Sequence, residues 1–376
     1  MKRSFADILG DVAALQRKKV EAKLPGWADV DGLEFPDALC LEQCSGTAAA
    51  IHKASFIPEG CRIADLTGGL GVDSWAFSRR ASAVLYFERN AVLQEAAARN
   101  FIRLGADDIV TVNAEVSPEG GPWLQALREF KPDWIYADPA RRDGLGKKVF
   151  LLEDCRPDIA TLLPLLYENA GNILLKLSPM ADISMLASRF GRHLRELHVV
   201  GLEGEVKELL CLLSAQEREG WTVSVEDAAG GTQAFSFSPG EEAAAEAVFH
   251  GPDGLEGLLL HEPTAPMMKA GAFKLPCSRF GMEKLGSSTH LYVAPAAIPE
   301  ARGLFKEFRI MEVVPLNRAS LKEIGKKYPR AEVSAKGIPM SSEELRTRTG
   351  CRTGSDIHVF GCGIAGGKYL IAAARQ

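Results

Sequence analysis

A regular alternation of short apolar segments with longer amphipathic segments begins at residue 61 and constrains the fold more than any other feature. The apolar segments predict strands at 61–66, 83–88, 108–113, 133–138, 172–177, 194–200 and 207–213. Helices are predicted between the first six strands, at 73–80, 91–104, 121–129, 152–169 and 180–190. Strands that alternate with helices form βαβ units, so we expect a parallel sheet covered by helices on both faces.

The last two predicted strands are separated only by Gly201–Val206. A parallel connection needs a dozen or more residues, so these two strands should pair antiparallel. Parallel strands that end in an antiparallel hairpin are the layout of class I methyltransferases. The sequence therefore predicts the α/β class, with a Rossmann-like sheet of seven strands.

The remaining segments indicate further domains, because 376 residues exceed what one hydrophobic core usually organises. Residues 1–55 have helical patterns. Strands are expected at 221–226 and 233–237. The sequence pattern at 241–285 allows no assignment. The pattern at 317–376 predicts an α+β unit. That unit has helices at 318–327 and 341–349 and strands near 356–361 and 367–373. We expect domains at 1–55, 56–215, 216–310 and 311–376.

Composition excludes several functional classes. No apolar run reaches the roughly eighteen residues of a membrane span, and the amino end lacks the apolar core of a secretory signal, which predicts a cytoplasmic location without membrane association. The eight cysteines form no C-x-x-C pair and the seven histidines show no ligand spacing. We therefore expect buried free thiols and no metal site.

Charge is distributed unevenly along the chain. Residues 301–376 hold 14 Lys and Arg against 7 Asp and Glu, whereas residues 1–300 hold 30 against 42. A basic carboxyl-terminal segment attached to an acidic body favours a polyanionic partner, with a merely solvated basic surface as the alternative.

A glycine-rich loop follows the first predicted strand, in the sequence ADLTGGLGVD at 64–73. Glycines allow a tight turn and close approach of backbone to a ligand beyond the carboxyl end of a strand. Ser74 stands where a dinucleotide fingerprint starting at Gly69 would need its third small residue. An acid at Asp65 would repel a pyrophosphate but attract the cationic methionine end of S-adenosylmethionine. Candidate cofactor-binding residues here are Asp65, Thr67, Gly68, Gly69, Gly71 and Asp73.

Polar residues also follow the second and third predicted strands. Glu88 is placed to accept hydrogen bonds from both ribose hydroxyls of a nucleoside cofactor. Asn113 and Glu115 lie where an adenine-contacting group would fall. Acids at successive strand ends, in register, point to one S-adenosylmethionine site.

The fourth predicted strand ends in Asp138-Pro139-Ala140-Arg141. This resembles the D-P-P-Y motif of methyltransferases that modify planar nitrogen targets in nucleic acids, where the acid and a following carbonyl bind the target amine. Asp138, Pro139 and Arg141 are the candidate catalytic residues, and Asp138 also borders the cofactor. Ala140 and Arg141 depart from the motif, which puts aromatic stacking of the target in doubt. Residues 176–179 (KLSP) contain no cysteine, which disfavours covalent C5 chemistry.

Motifs along nearly the whole chain resemble the bacterial class I methyltransferases with a carboxyl-terminal THUMP-like domain. They are LEQC at 41–44, DLTGGLGVD at 65–73, DPARR at 138–142, GKKVF at 146–150, LEDCRPD at 152–158, KLSPM at 176–180 and HEPTAPMMKAG at 261–271. The resemblance implies a ferredoxin-like insert within 216–310, a THUMP-like domain at the carboxyl end and, by analogy with other THUMP proteins, an RNA partner.

These observations favour an S-adenosylmethionine-dependent methyltransferase that acts on a base nitrogen in RNA. Methylation of a small molecule or a protein is one alternative. A protein that binds S-adenosylmethionine or RNA without turnover is another. The sequence leaves the oligomeric state open.

Overall fold

The computed structural model describes residues 17–141, 152, 155–230 and 234–376. They form two compact units. The first comprises the described residues up to His198 together with Lys207–Trp221, and the second comprises Val199–Val206 and Thr222–Gln376. The expected division into four domains remains a prediction.

The amino-terminal segment is helical where it is described, as expected. Residues 17–23 are helical, and they are followed by α1 (Pro25–Ala28), α2 (Ala38–Gln43) and α3 (Thr47–Ala54). The Asp37 side chain caps α2 by accepting a hydrogen bond from the backbone N–H of Cys40 at 2.6 Å. Trp27 anchors the segment, since it is 1% exposed and packs edge-on against Trp75.

Strands and helices alternate through the rest of the first unit. The elements are β1 (Arg62–Asp65), α4 (Val72–Ser78), β2 (Ala83–Glu88), α5 (Ala91–Arg103), β3 (Ile109–Asn113), α6 (Pro122–Phe130), β4 (Trp134–Ala137), β5 (Ala140–Arg141), β6 (Cys155–Arg156), α7 (Ile159–Asn169), β7 (Asn172–Leu177), α8 (Ile183–Phe190), β8 (Leu194–Leu202) and β9 (Glu205–Ser214). All seven predicted strands are present. Ile63, Ile135 and Leu174 are fully buried, as a sheet covered on both faces requires.

The sheet has the order β3-β2-β1-β4-β7-β9-β8 across these strands. Strands β1, β2, β3, β4 and β7 pair in parallel, whereas β7 and β9 pair antiparallel. Glu203 and Gly204, both with positive φ, form the tight turn between β8 and β9. The α/β class and the terminal hairpin are therefore confirmed.

Two predictions about this region need correction. The sheet has nine strands rather than seven, because β10 (Thr222–Asp227) and β11 (Phe235–Phe237) continue it beyond β8. The helix expected at 152–169 begins only at Ile159. Pro157 disfavours helix for the residue before it, Asp158 caps the helix at Thr161, and β5 pairs with β6 just upstream.

A second sheet dominates the second unit, in the order β13-β14-β12-β15-β18-β17-β16. Its elements, with the preceding helix, are α9 (Pro239–Ala244), β12 (Leu259–Pro263), α10 (Ala265–Ala270), α11 (Leu275–Phe280), β13 (Glu283–Gly286), β14 (Thr289–Ala294), β15 (Phe305–Pro315), α12 (Arg318–Lys327), β16 (Glu332–Lys336), α13 (Ser342–Thr349), β17 (Ile357–Ile364) and β18 (Gly367–Arg375). The helices and strands predicted within 317–376 are confirmed, and β12, α10 and α11 occupy the segment that sequence patterns left unassigned. Leu321, Ile324 and Leu345 pack the two helices against β17 and β18.

Within the described residues, none of the helices combines the length and apolar character that a bilayer crossing requires.

Candidate active site

The glycine loop connects β1 to α4 at the carboxyl edge of the sheet. A Cβ atom at Gly68 would overlap the ring of Tyr86, and one at Gly71 would overlap Phe101. Gly71 also has a φ of +85°, which side chains rarely adopt. The loop is tied to β2, because the Gly68 N–H donates to the carbonyl of Phe87 at 2.8 Å. Glycine is therefore required here both for close packing and for the turn.

Asp65 supports this loop from beneath. Asp65 is only 1% exposed, and its carboxylate accepts hydrogen bonds from the Ser74 hydroxyl at 2.6 Å and the Thr67 N–H at 2.9 Å. Burial raises the pKa of Asp65 to about 7. Asp65 is not among the described residues that line the cavity beside this loop, so the structure places it as a support of the loop, and its expected contact with a cationic cofactor stays a prediction.

The cavity beside the loop has a volume of about 920 Å³, at the upper end of the roughly 300–1,000 Å³ that is usual for small-molecule and cofactor sites. Its wall comes from the amino-terminal segment, the glycine loop and the ends of β2, β3, β4 and β7. The lining residues include Asp37, Gln43, Cys44, Thr67, Gly68, Gly69, Gly71, Asp73, Glu88, Glu115, Asp138, Ala140 and Lys176. Most of the candidate residues therefore surround one space.

Glu88 lies at the end of β2 and faces the cavity. Its two carboxylate oxygens accept hydrogen bonds from the backbone N–H groups of Gly69 at 2.9 Å and Asn90 at 2.7 Å. The contacts hold the carboxylate beside the loop, and each oxygen keeps further lone pairs for a ligand hydroxyl.

The candidates after β3 separate into two roles. The Asn113 amide donates to the carbonyls of Glu88 and Arg89 and so joins the ends of β2 and β3, and Asn113 is not among the described residues that line the cavity; its expected contact with a cofactor stays a prediction. Glu115 does line the cavity and forms an exposed ion pair with Arg89 at 3.6 Å.

Asp138 follows β4 and lies opposite the glycine loop. Its N–H donates to the Thr67 hydroxyl at 2.7 Å, and its carboxylate pairs with the ammonium of Lys176 at the end of β7. Pro139 is not among the described lining residues, whereas Ala140 is. The backbone of Arg141 lies in β5, but its side chain, Arg142 and the GKKVF motif fall outside the described residues.

A buried charge cluster lies behind this pair. Lys53 is fully buried and contacts Asp73 at 3.2 Å and Glu208 at 3.3 Å. Asp73 also accepts hydrogen bonds from the hydroxyls of Ser45 and Tyr136, at 2.9 and 2.8 Å. Asp73 thus borders the cavity through a network that fixes its position.

Electrostatics within the cluster favour the charged forms of Asp73 and Lys176 but not that of Glu208. Burial alone would raise the pKa of Asp73, but the Lys53 and Lys176 ammonium groups hold it below its usual value. Burial opposes the charge on Lys176 as well, yet the Asp138 and Asp73 carboxylates raise its pKa above the ordinary value. For Glu208, burial outweighs the nearby Lys53 and raises the pKa.

Sequence analysis missed Lys53, Lys176 and Glu208 as members of the site. Lys176 stood in a quoted motif, and a lysine that ends an apolar strand was an available signal. Lys53 and Glu208 are 155 positions apart and gave none.

All eight cysteines are free, and seven of them are buried. Cys44, which is partly exposed, and the buried Cys40 line the cavity. Burial raises the pKa of both thiols, which favours the unreactive protonated form. No group of three or more His, Cys, Asp or Glu in the described part of the chain could hold a metal ion.

Comparisons with known proteins agree with this geometry. A solved structure of a putative methyltransferase from Porphyromonas gingivalis W83 is 34% identical, with a TM-score of 0.84 over 96% of this chain and 88% of that one. Residues 259–300 match a ferredoxin-like domain model, and residues 306–375 match a THUMP domain-like model. No protein of curated function matches the chain.

Two other solved structures match about half of this chain with low TM-scores. An rRNA methylase from Streptococcus thermophilus is 13% identical, covering 44% of this chain and 93% of its own, with a TM-score of 0.31. A ribosomal protein L11 methylase from Lactobacillus delbrueckii subsp. bulgaricus is 16% identical, covering 49% and 82%, with a TM-score of 0.32.

The sheet order and the loop-lined cavity define a class I methyltransferase fold. The chain belongs to the family of the Porphyromonas gingivalis protein, the bacterial class I methyltransferases with a carboxyl-terminal THUMP-like domain.

Proposed function

We propose that the protein transfers a methyl group from S-adenosylmethionine to a base nitrogen in RNA. One observation carries the proposal: the glycine loop and Asp138 border the same cavity and are joined by the hydrogen bond from the Asp138 N–H to Thr67. A cofactor loop and an acceptor-binding acid are thereby held at a fixed separation, as direct transfer between two bound molecules requires.

The residues present fit S-adenosylmethionine. The close packing of Gly68 leaves backbone rather than side chain facing the cavity, and Glu88 offers a carboxylate to ribose hydroxyls. Glu88 and Asp73 give this wall acidic groups, which suit a cationic cofactor better than a pyrophosphate. The glycine loop and Glu88 would therefore hold the cofactor, with Glu115 beside its base.

When bound, S-adenosylmethionine supplies an electrophilic methyl carbon whose bond to sulfur breaks as the acceptor nitrogen forms its new bond. The protein's part is to orient the acceptor and exclude water. Asp138 would accept a hydrogen bond from the acceptor amine and take up the proton that the methylated nitrogen releases. Lys176 holds this carboxylate in place.

The case for RNA rests on the carboxyl-terminal segment. The side chains of Lys322 and Lys326 lie one turn apart on α12, are exposed, and have no ion-pair partner among the described residues. Residues 301–376 carry more Lys and Arg than Asp and Glu, and the two lysines on this helix are free to bind phosphates. An RNA substrate also agrees with the cytoplasmic location expected from the sequence.

The arginines of α13 add little free positive charge to this surface. Arg346 pairs with Glu343 at 2.7 Å and Arg348 pairs with Glu344, so the helix carries as many acids as arginines. Lys327 on α12 is likewise paired, with Glu312 at 2.8 Å. We therefore place the proposed RNA contact at Lys322 and Lys326, which share one face of α12.

The test is methyl transfer from tritiated S-adenosylmethionine to three separate pools: bulk bacterial RNA, a protein extract and a metabolite extract. We expect label in RNA, and none from an Asp138→Ala variant that remains folded. Label confined to protein or metabolites would redirect the substrate assignment. Absence of label from every pool would favour a binding protein without turnover.

A further inference from the structure

The relation between Asp138 and Lys176 follows from strand register. Ala137 on β4 pairs with Leu175 on β7 in parallel, so Asp138, which directly follows β4, and Lys176, which lies within β7, are neighbours at the same level of the sheet. The two side chains form an ion pair whose members are 33% and 18% exposed, and both line the cavity. Both side chains can therefore contact the same ligand in the cavity.

Each member of the pair has hydrogen-bonding capacity left over. Lys176 contacts the Oδ2 atom of Asp138, and within the described residues the Oδ1 atom has no hydrogen bond. The Lys176 ammonium has three N–H donors, of which Asp138 takes one among the described residues. One carboxylate oxygen and two ammonium N–H donors therefore remain side by side.

The cluster behind the pair keeps the Lys176 ammonium charged. The Asp73 and Glu208 carboxylates favour the protonated ammonium of Lys176, together with Asp138. Lys176 is consequently a permanent donor rather than a base at physiological pH, and the proton released by the acceptor has Asp138 as its nearest carboxylate.

We propose that Asp138 and Lys176 recognise two adjacent atoms of the acceptor base. Asp138 Oδ1 accepts an N–H of the amine that is methylated, and Lys176 donates to the unprotonated ring nitrogen next to that amine. This proposal rests on the proposed function and specifies its substrate class: a nucleobase edge in which an exocyclic amine adjoins a hydrogen-bond acceptor.

This requirement excludes uracil and admits the other three bases. Adenine, cytosine and guanine each carry an exocyclic amine beside an unprotonated ring nitrogen, whereas uracil has no amine. A lysine side chain of a protein substrate has an amine but no adjacent acceptor. Lys176 is therefore the residue that distinguishes a base edge from an isolated amine.

The experiment has two stages with the full-length protein. RNA labelled by the protein is digested, and the methylated nucleoside is identified by mass spectrometry. A short oligoribonucleotide around that position is then made with the natural base and with its deaza analogue. For cytidine or guanosine the analogue is the 3-deaza base, and for adenosine the 1-deaza and 7-deaza bases are both made, so the flanking ring nitrogen is replaced by C–H.

We expect kcat/KM of the parent protein to fall at least about 10-fold on a deaza analogue, as expected for loss of a hydrogen bond to a charged group. Lys176→Met should lose a similar factor on the natural base and discriminate less than about 3-fold against the analogue. Lys176→Arg should keep part of the discrimination. Circular dichroism and thermal unfolding establish that each variant is folded.

Three results would overturn the inference. They are equal rates of the parent on natural and deaza bases, discrimination by Lys176→Met as strong as that of the parent, and methylation of uridine, ribose or a carbon atom. The first result is measured with the parent protein alone, so the proposal can be refuted even if Lys176→Met does not fold. Failure to label any RNA would instead refute the proposed function and, with it, this inference.

Discussion

The backbone N–H of Asp138 donates a 2.7 Å hydrogen bond to the Thr67 hydroxyl, which joins the loop after β4 to the glycine loop after β1. The same hydroxyl lies 3.3 Å from Asp65, the buried acid beneath the glycine loop. Thr67 thereby connects the residue that supports the loop to the residue proposed to bind the acceptor.

Replacing Thr67 by valine preserves the shape of the side chain but removes this hydroxyl. We expect the rate of methyl transfer to fall about 3–10-fold, because a neutral hydrogen bond contributes about 0.5–1.5 kcal/mol. Single-turnover methylation of RNA measures the effect. Thr347→Val is the matched control, since its hydroxyl bonds the backbone of an exposed helix in the second unit. Equal losses in the two variants would contradict a role for the Thr67 contact.

Much of the first unit was predictable because its signals are local. Apolar strand segments, glycines at a strand end and acids at successive strand ends each occupy a few neighbouring residues. Gly68, Glu88 and Asp138 were identified in this way, and the structure places all three at one cavity.

The remainder depended on contacts between distant segments. Whether an acid faces a ligand or the protein interior is set by its neighbours, as Asp65 and Ser74 illustrate. Likewise, Glu208 lies in an apolar strand, and nothing in the sequence around it indicates its ion pair with Lys53 of the amino-terminal segment. Pairing of Arg346 with Glu343 also removed part of the basic surface expected from charge counts.

Lys53 should be essential for stability. Lys53→Met leaves Asp73 and Glu208 buried without their cation, which should lower the free energy of unfolding by about 3–5 kcal/mol. Urea denaturation measures the change, and the exposed Lys18→Met is the control, with an expected change below about 0.5 kcal/mol. Adding Glu208→Gln to Lys53→Met should recover part of the loss. A mild effect of Lys53→Met would show that the cluster is unimportant for folding.

Asp65 should make stability depend on pH. Because burial raises its pKa to about 7 in the folded protein, the folded state holds this proton more tightly than the unfolded chain does. Its stabilising contribution is complete below about pH 4 and is lost as pH rises to about 7 and beyond, by up to about 4 kcal/mol. Asp65→Asn should remove this dependence, as seen by comparing urea midpoints of both proteins at pH 5 and pH 8. Parallel pH profiles would refute the prediction.

Lys322 and Lys326 should contribute to RNA binding without affecting the cofactor site. Lys322→Glu/Lys326→Glu should weaken binding of bulk RNA and lower the salt dependence of affinity by about two units, one for each phosphate contact. Filter binding at salt concentrations between about 50 and 200 mM measures both the affinity and its salt dependence. Lys18→Glu/Arg128→Glu makes the same charge change on exposed residues of the first unit. If both double variants bind alike, the α12 lysines are only solvated surface.

Calorimetric titration with S-adenosylmethionine tests the central claim most directly, because the glycine loop was assigned to this cofactor and not to a dinucleotide. We predict one site per chain for the parent protein and no comparable binding of NADH. Gly68→Ala, which would drive a methyl group into Tyr86, should weaken binding at least about 10-fold, while Gly171→Ala, where a Cβ meets open space, should bind like the parent. Tight binding of NADH with none of S-adenosylmethionine would contradict the account.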